Sequence, residues 1–436
     1  MTETVPPTSV PNDLSVLVIG SGGREHALAR AIAADPSVSA VHVAPGNPGT
    51  ASFATNHPVS ITDPDAVAAL ASQLGADLVV VGPEAPLVAG VADAVRKAGI
   101  ACFGASQQAA KLEGSKVFAK EVMAAAGVPT AQSRYCTTPE EVEAALEEFG
   151  APHVVKDDGL AAGKGVVVTD DEQEALEHAA GCQAVVVEEY LKGPEVSLFV
   201  ITDGETALAM QPAQDFKRVG DEDEGPNTGG MGAYSPLPWA PKDLQQRVLD
   251  EVALPTLAEM RRRGTPFTGL LYCGLALTDK GIRVIEFNAR FGDPETQALM
   301  ALVDSPMGEV LYRAATGTLA ELGELRWRDE YAVTVVLAAD GYPGEPEKGG
   351  RIELPEDTED AWTIQAGTAL DAKGNLVADG GRVLAVVGRG KDLRTARGAA
   401  YTHAGAIDFP TGFHRYDIAE KAAVEQIENS YSEEQQ

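Results

Sequence analysis

Between Val284 and Gln297 the chain reads VIEFNARFGDPETQ, and oxygen-bearing side chains recur there at a spacing that a strand can use. With Val284 to Asn288 extended, Glu286 and Asn288 share one face, two residues apart, while Ile285 and Phe287 turn to the other, toward a core. A carboxylate beside an amide oxygen on a rigid strand suits a magnesium ion held jointly by protein and phosphates. Past the strand come Arg290, Gly292, Asp293, Pro294 and Glu295, a guanidinium and two carboxylates in quick succession. A strand needed only for packing would carry none of them.

HVVKDDGLAAGKGVVVT (153–169) places two β-branched runs around a glycine-rich loop, with Lys156 near the end of the first run and Lys164 in the loop. It fails as a Walker loop, because Asp158 stands at the first glycine position and Gly165 at the hydroxyl position. The pattern predicts a hairpin whose tip, with Gly163, Lys164 and Gly165, closes over nucleotide phosphates through N–H groups and lysine charge. AVVVEEYLKGPEVSLFV (184–200) predicts a strand, an acidic pair and a second strand. Backbone groups at Glu188, Glu189, Tyr190 and Leu191 would meet adenine there, and Glu195 would reach ribose hydroxyls. Taken singly, these two segments also read as a plain hairpin and a solvated acidic pair.

GSGGREH (20–26) follows an apolar strand and opens a helix, as a dinucleotide fingerprint does. Glu25 replaces the third glycine, and the next strand ends in Ala44-Pro45-Gly46 with no acidic residue for a ribose, so the pattern argues against NAD. Glycines at a helix N-terminus still suit an anion. Gly46 to Gly49 and Glu84 fall at strand ends, where open α/β sheets place ligands. His26 reads as structural or substrate-orienting. In 214–234, NTGGMG (227–232) is too glycine-rich for a regular element. Lys217 and Arg218 could meet phosphate there and Asp215 could orient an amine. Asp221 to Glu224 reads as a flexible acidic surface loop.

The lysine strand with its glycine-rich hairpin, EEYLKGPE and EFNARFGDPE together resemble the ATP-grasp superfamily. VLVIGSGGREHALA (16–29), VAPGNPGT (43–50), VVGPEAPLVAGVAD (80–93), LEGSKVFAKEVM (112–123) and QDFKRVGDEDEGPNTGGMGAYSP (214–236) narrow that resemblance to the phosphoribosylamine–glycine ligase family, from about residue 14 to 420. The resemblance implies ATP, Mg2+ or Mn2+, glycine and 5-phosphoribosylamine as ligands, and an acyl phosphate route in purine biosynthesis. It implies Glu286 and Asn288 at the metal, and Lys116, Lys156 and the hairpin at ATP. It implies Arg290, Lys156 and Asp293 at the chemistry. Gly22, Gly23, Arg24, Glu25, Gly46, Asn47, Glu84, Asp215, Lys217, Asn227, Gly230 and Glu295 would surround the other substrates. A transient contact with the enzyme that supplies the amine follows from the same likeness.

There are departures. LLYCGLALT (270–278) offers no carboxylate to complete a metal shell, Thr169 to Ala184 is short for the family, and Gln365 stands where histidine is more usual. Some relatives carry fused purine enzymes; the length here leads us to expect one activity. Another ATP-grasp ligase, such as a carboxylase-type purine enzyme, and a non-catalytic nucleotide sensor are the alternative readings.

Composition sets outer limits. The 436 residues exceed one ordinary core. Acidic side chains outnumber basic ones 65 to 34, a net charge of −31, which repels a nucleic-acid partner. No CxxC pair occurs among the four cysteines, and no run is long and apolar enough for a membrane span. A cytoplasmic location is expected. The alternation of elements predicts an α/β and α+β multidomain chain. A disordered lead (1–13) precedes a Rossmann-like substrate-binding domain (14–110). An ATP-grasp core (111–325) follows, with a small β-rich lid (about 134–201) inserted. A small mixed C-terminal domain (326–425) and a disordered tail (426–436) complete the chain.

Overall fold

The computed structural model describes residues 10–159 and 165–433. Gly163 and Lys164 of the hairpin tip and most of the N-terminal lead lie outside the described residues. The first sheet is wholly parallel, in the order Thr55–Asn56, Val38–Pro45, Leu14–Gly20, Leu78–Val81, Ala101–Phe103. Its central strands are buried on both faces, which is why they read as unbroken Val, Leu and Ile runs. Strand order reverses between Leu14–Gly20 and Leu78–Val81. The loops opening there, at Gly20–Gly22 and Gly82–Glu84, frame the crevice where such sheets bind ligands.

Helix Lys116–Ala126 starts at the Ser115 cap and stops at Gly127, whose φ of 68° lies in the left-handed region. It leads into a four-stranded antiparallel lid sheet, ordered Ser133–Cys136, Val185–Glu188, His153–Asp157, Val166–Thr169. The expected hairpin is present: His153–Asp157 pairs with Val166–Thr169. Val155, Val187, Val142 and Leu146 form its own small core beneath two helices.

A second antiparallel sheet, ordered Ala207–Ala209, Glu195–Thr202, Gly269–Thr278, Gly281–Asn288, lies across from the lid. The 184–200 segment therefore divides between sheets. Glu195–Thr202 pairs with Gly269–Thr278 along its whole length, so the lid sheet closes at Glu188, short of the expected 201. The last large sheet recruits Gln214–Asp215 and Gly232–Ser235 to the C-terminal strands Tyr331–Ala339, Arg382–Gly390 and Ala361–Gln365. Helix Leu393–Ala404 packs so closely on this sheet that a Cβ at Gly388 would overlap the helix backbone. The expected disordered tail from 426 is helical as far as it is described, within Glu420–Glu433. Among the described residues no helix is long and apolar enough to cross a membrane.

One expectation about the metal-type strand is corrected. Gly274 pairs with Glu286 and Leu275 with Val284, so Ile285 is an unpaired bulge residue. The bulge shifts the side-chain phase. Ile282, Val284 and Phe287 enter the core, and Ile285 does not join them. Glu286 and Asn288 still fall on a common face because both follow the bulge.

Candidate active site

The bulge has a chemical use. The Ile285 carbonyl accepts a 2.9 Å hydrogen bond from Lys156 Nζ, tying the lid to the Glu286 strand. Lys156 also meets Glu188 Oε2 at 2.8 Å, and Lys120 meets the other oxygen at 3.0 Å. Lys120 further donates to Thr130 Oγ1 and the Ala131 carbonyl. Two lysines share one buried carboxylate, leaving an excess of positive charge between lid and core sheet. Lys116 stands nearby, its ammonium donating to the Gly159 carbonyl at 3.0 Å, while Asp158 accepts from its backbone N–H at 2.8 Å. Burial lowers the Lys116 pKa, with Glu286 opposing that shift. Burial alone would raise the Glu286 pKa. Lys217, Lys156, Lys116 and Arg290 outweigh it and hold the carboxyl below its usual range.

This donor set fits a polyphosphate with a hard divalent cation: an ionised carboxylate, an amide oxygen two residues on, and converging lysines. Among the described residues no three His, Cys, Asp or Glu gather as a metal cage. The protein's share of such a shell would be small.

Arg290 lies between two acids, 3.0 Å from Glu113 and 3.3 Å from Glu84. Both carboxyls feel burial first. Arg290 and Arg24 bring Glu84 below its ordinary pKa, whereas Glu113 stays raised. Glu113 also accepts from the Ala289 N–H at 2.8 Å, so it fixes the strand end that carries Arg290.

At the switch crevice, Glu25 Oε2 accepts from the Gly22 N–H at 2.8 Å and Oε1 pairs with Arg24 Nε at 2.5 Å. The Glu25 side chain fills the space that a Cβ on Gly20 or Gly82 would need, which accounts for both glycines. Arg24 Nη1 donates to the Phe291 carbonyl at 2.9 Å, joining the first domain to the DPE segment. Asp293 lies close to Gly22 and accepts from Gln297 at 2.8 Å. Burial would raise its pKa, but Arg382 and Arg24 hold it down. Glu295 is buried and accepts from Ser197 Oγ, which contacts the Tyr272 hydroxyl at 2.7 Å.

The other expected residues have the following partners. The Asn47 amide donates to the Ser21 and Gln365 carbonyls and accepts from the Gly49 and Thr50 N–H groups. Those four bonds saturate it, so its side chain braces the Gly46 loop and does not point to a ligand. Glu188 spends its carboxylate on lysines, and the Glu189 N–H is taken by the Gln132 carbonyl. Among the described residues of that stretch, Glu189 keeps its carbonyl outside hydrogen bonds, and Tyr190 and Leu191 keep their backbone groups outside them. Glu195 pairs with Lys217 at 2.6 Å. Asp215, pressed by burial and by Glu295 and Glu195 against the pull of Lys217, has its pKa raised to about 7. Gly165 accepts at its carbonyl from the Asp157 N–H. Asn227 bridges to Arg218, and Gly230 adopts a φ of +110°. His26 accepts from the Gln365 N–H at 3.1 Å, a structural tie. The acidic 221–224 loop is docked and not free: Asp223 meets the buried Arg415 at 2.8 Å, and Asp221 accepts from the Tyr416 N–H.

Sequence reasoning missed Glu113, Lys120, Asp158, Arg382 and Arg415. Lys120 had a signal, since it lies four residues after Lys116 on one helix and so shares its face.

A small lid sheet over a core sheet, with lysines meeting an acidic strand between them, defines an ATP-grasp protein. Family models for phosphoribosylglycinamide synthetase match in order: the N domain over 14–113, the ATP-grasp (A) domain over 114–296 and the C domain over 332–421. The chain belongs to the phosphoribosylglycinamide synthetase family. It is 60% identical over 415 residues to a phosphoribosylamine–glycine ligase of Streptomyces coelicolor, covering 94% of this chain and 100% of that one. A crystal structure of the Thermotoga maritima phosphoribosylamine–glycine ligase superposes with a TM-score of 0.82 at 35% identity, covering 93% of this chain and 100% of that one. An ADP complex of an N5-carboxyaminoimidazole ribonucleotide synthetase shares the fold at 19% identity and a TM-score of 0.65, covering 91% and 97%.

Proposed function

We propose that this chain joins glycine to 5-phosphoribosylamine, converting ATP to ADP and phosphate and yielding glycinamide ribonucleotide in purine biosynthesis. The observation that carries the reading is similarity to enzymes of that name along nearly the whole chain. The charge pattern supports it: one ionised acidic strand faces three lysines. Glu286 and Asn288 would hold magnesium, or manganese in its place, which when bound supplies positive charge at the terminal phosphates. Lys156 and Lys116 neutralise phosphate charge as the glycine carboxylate attacks the γ-phosphoryl group. The product of that step is glycyl phosphate. Arg290, held by Glu84 and Glu113, steadies the acyl phosphate and the tetrahedral species that follows. The amine of phosphoribosylamine attacks the acyl carbon and phosphate leaves.

The first-domain crevice, with Gly22, Gly23, Arg24 and Glu25, takes the phosphoribosyl group, and Asp293 lies at its edge. Asp215 and Lys217 bound the amine side. Tyr190 and Leu191 offer the backbone groups for adenine. The lid tip, with Gly163, Lys164 and Gly165, shields an acyl phosphate from water. The reading carries a cytoplasmic location and a brief contact with the enzyme that makes the short-lived amine. The test is ADP release from the purified protein, which should require ATP, glycine and phosphoribosylamine together. ADP release with bicarbonate and no glycine would assign it to carboxylase-type chemistry instead. Tight ATP binding with no turnover would make it a nucleotide sensor.

A further inference from the structure

Gly229 is held from both sides by the C-terminal sheet region. Its N–H donates to the Tyr342 hydroxyl at 2.9 Å, and its carbonyl accepts from Arg382 Nη1 at 2.5 Å. The same Nη1 reaches the Asp293 carbonyl at 2.7 Å and the Gly230 carbonyl at 3.3 Å, and Nη2 stands 3.5 Å from Asp293 Oδ2. One guanidinium thus joins two segments that lie far apart in sequence, the NTGGMG turn and the DPE segment.

The parts around it leave little slack. A Cβ at Gly230 would lie 2.5 Å from Pro294 Cδ, so the turn must be glycine to approach the DPE segment. The Gly230 N–H donates to Thr228 Oγ1, and that hydroxyl donates to the Lys217 carbonyl. Tyr342 packs over Gly381, where a Cβ would overlap its ring. On the far side of the turn, Asp293 faces Gly22 at the start of the first-domain helix. The Arg382 side chain remains 23% exposed and that of Asp293 18%, so the cluster borders open space and is not core.

We propose that Arg382, assisted by Tyr342, is a positioning residue for the phosphoribosyl-amine pocket. It fixes the Gly229–Gly230 turn against Asp293 before the ribonucleotide arrives. A lysine would not reproduce this, because the planar guanidinium holds two nitrogens in a fixed fork, one meeting the carbonyls and the other facing the Asp293 carboxylate. The proposal rests on the reading of the chain as a glycinamide ribonucleotide-forming ligase.

The experiment compares the full-length protein with Arg382→Ala, Arg382→Lys and Tyr342→Phe. Kinetics run in the reverse direction, with glycinamide ribonucleotide, ADP and phosphate, avoid the unstable amine. For Arg382→Ala the KM for the ribonucleotide should rise roughly tenfold or more while the KM for ADP stays within about twofold, as expected when charge-assisted bonds to one pocket are lost. Arg382→Lys and Tyr342→Phe should fall between it and wild type, and they carry the same comparison if the alanine variant does not fold. Hydrogen exchange at 228–232 in the ligand-free protein should quicken in Arg382→Ala. Equal rises in both KM values, or unchanged exchange, would overturn the proposal. A wild-type protein that makes no ATP from the ribonucleotide, yet shows the faster exchange in the variant, would overturn the assigned reaction and the pocket role with it, while showing that Arg382 still holds the turn.

Discussion

Lys156 and Glu188 form a 2.8 Å ion pair in which each side chain is only 4% exposed. Lys120 closes on the remaining oxygen of the same carboxylate at 3.0 Å. Charges so deeply placed are tolerable only as a set, because removing one partner strands the others in a low dielectric. Glu188→Ala should therefore cost roughly 3 kcal/mol or more of stability, the usual penalty for breaking a buried pair. Denaturation followed by hydrogen exchange in the lid strands would measure it. A loss below about 1 kcal/mol, the size of a surface pair, would mean that water reaches the lysines.

Glu286 is the sole acidic side chain on the bulged strand's ligand face. Glu286→Ala should lower turnover at least ~100-fold with the fold intact, the scale of losing a major electrostatic group in an active site. Circular dichroism checks the fold and ADP release the rate. Near-normal turnover at ordinary magnesium would remove Glu286 from the metal site.

His26 gives a pH dependence with a definite sign. Burial lowers its pKa from 6.5 to about 4, with Arg30 adding to the shift. Between those values the unfolded chain binds the proton and the folded one does not, so stability falls as pH drops through that window. The full effect is at most about 3 kcal/mol, from the size of the shift. His26→Gln should flatten the stability profile between pH 6.5 and 4. A profile unchanged by the substitution would show that another group controls it.

What the sequence made legible follows from locality. The hairpin, the parallel first sheet and the acidic strand are each written in contiguous residues whose period and turn chemistry speak for themselves. The bulge at Ile285 was not legible, because it depends on how Gly274 and Leu275 meet the strand from its partner side. Glu195–Thr202 looked continuous with the lid because sequence shows two strands but not which sheet each joins. Asn47 carried the right residue type for a ligand, yet only its neighbours reveal that all its bonding capacity is used. Arg382 and Arg415 were invisible for the same reason. Each opens or follows an ordinary strand, and it reaches across to a segment far away in sequence, Arg382 to Asp293 and Arg415 to Asp223.

The central claim is that glycine is activated by phosphorylation, and oxygen labelling tests it most directly. Glycine carrying heavy oxygen in both carboxylate positions should transfer one labelled oxygen to inorganic phosphate and keep the other in the new amide. ADP should be the only nucleotide product. Label appearing in AMP, with pyrophosphate released, would replace the acyl phosphate by an adenylate. Unlabelled phosphate in a reaction that still forms the amide would contradict the account outright.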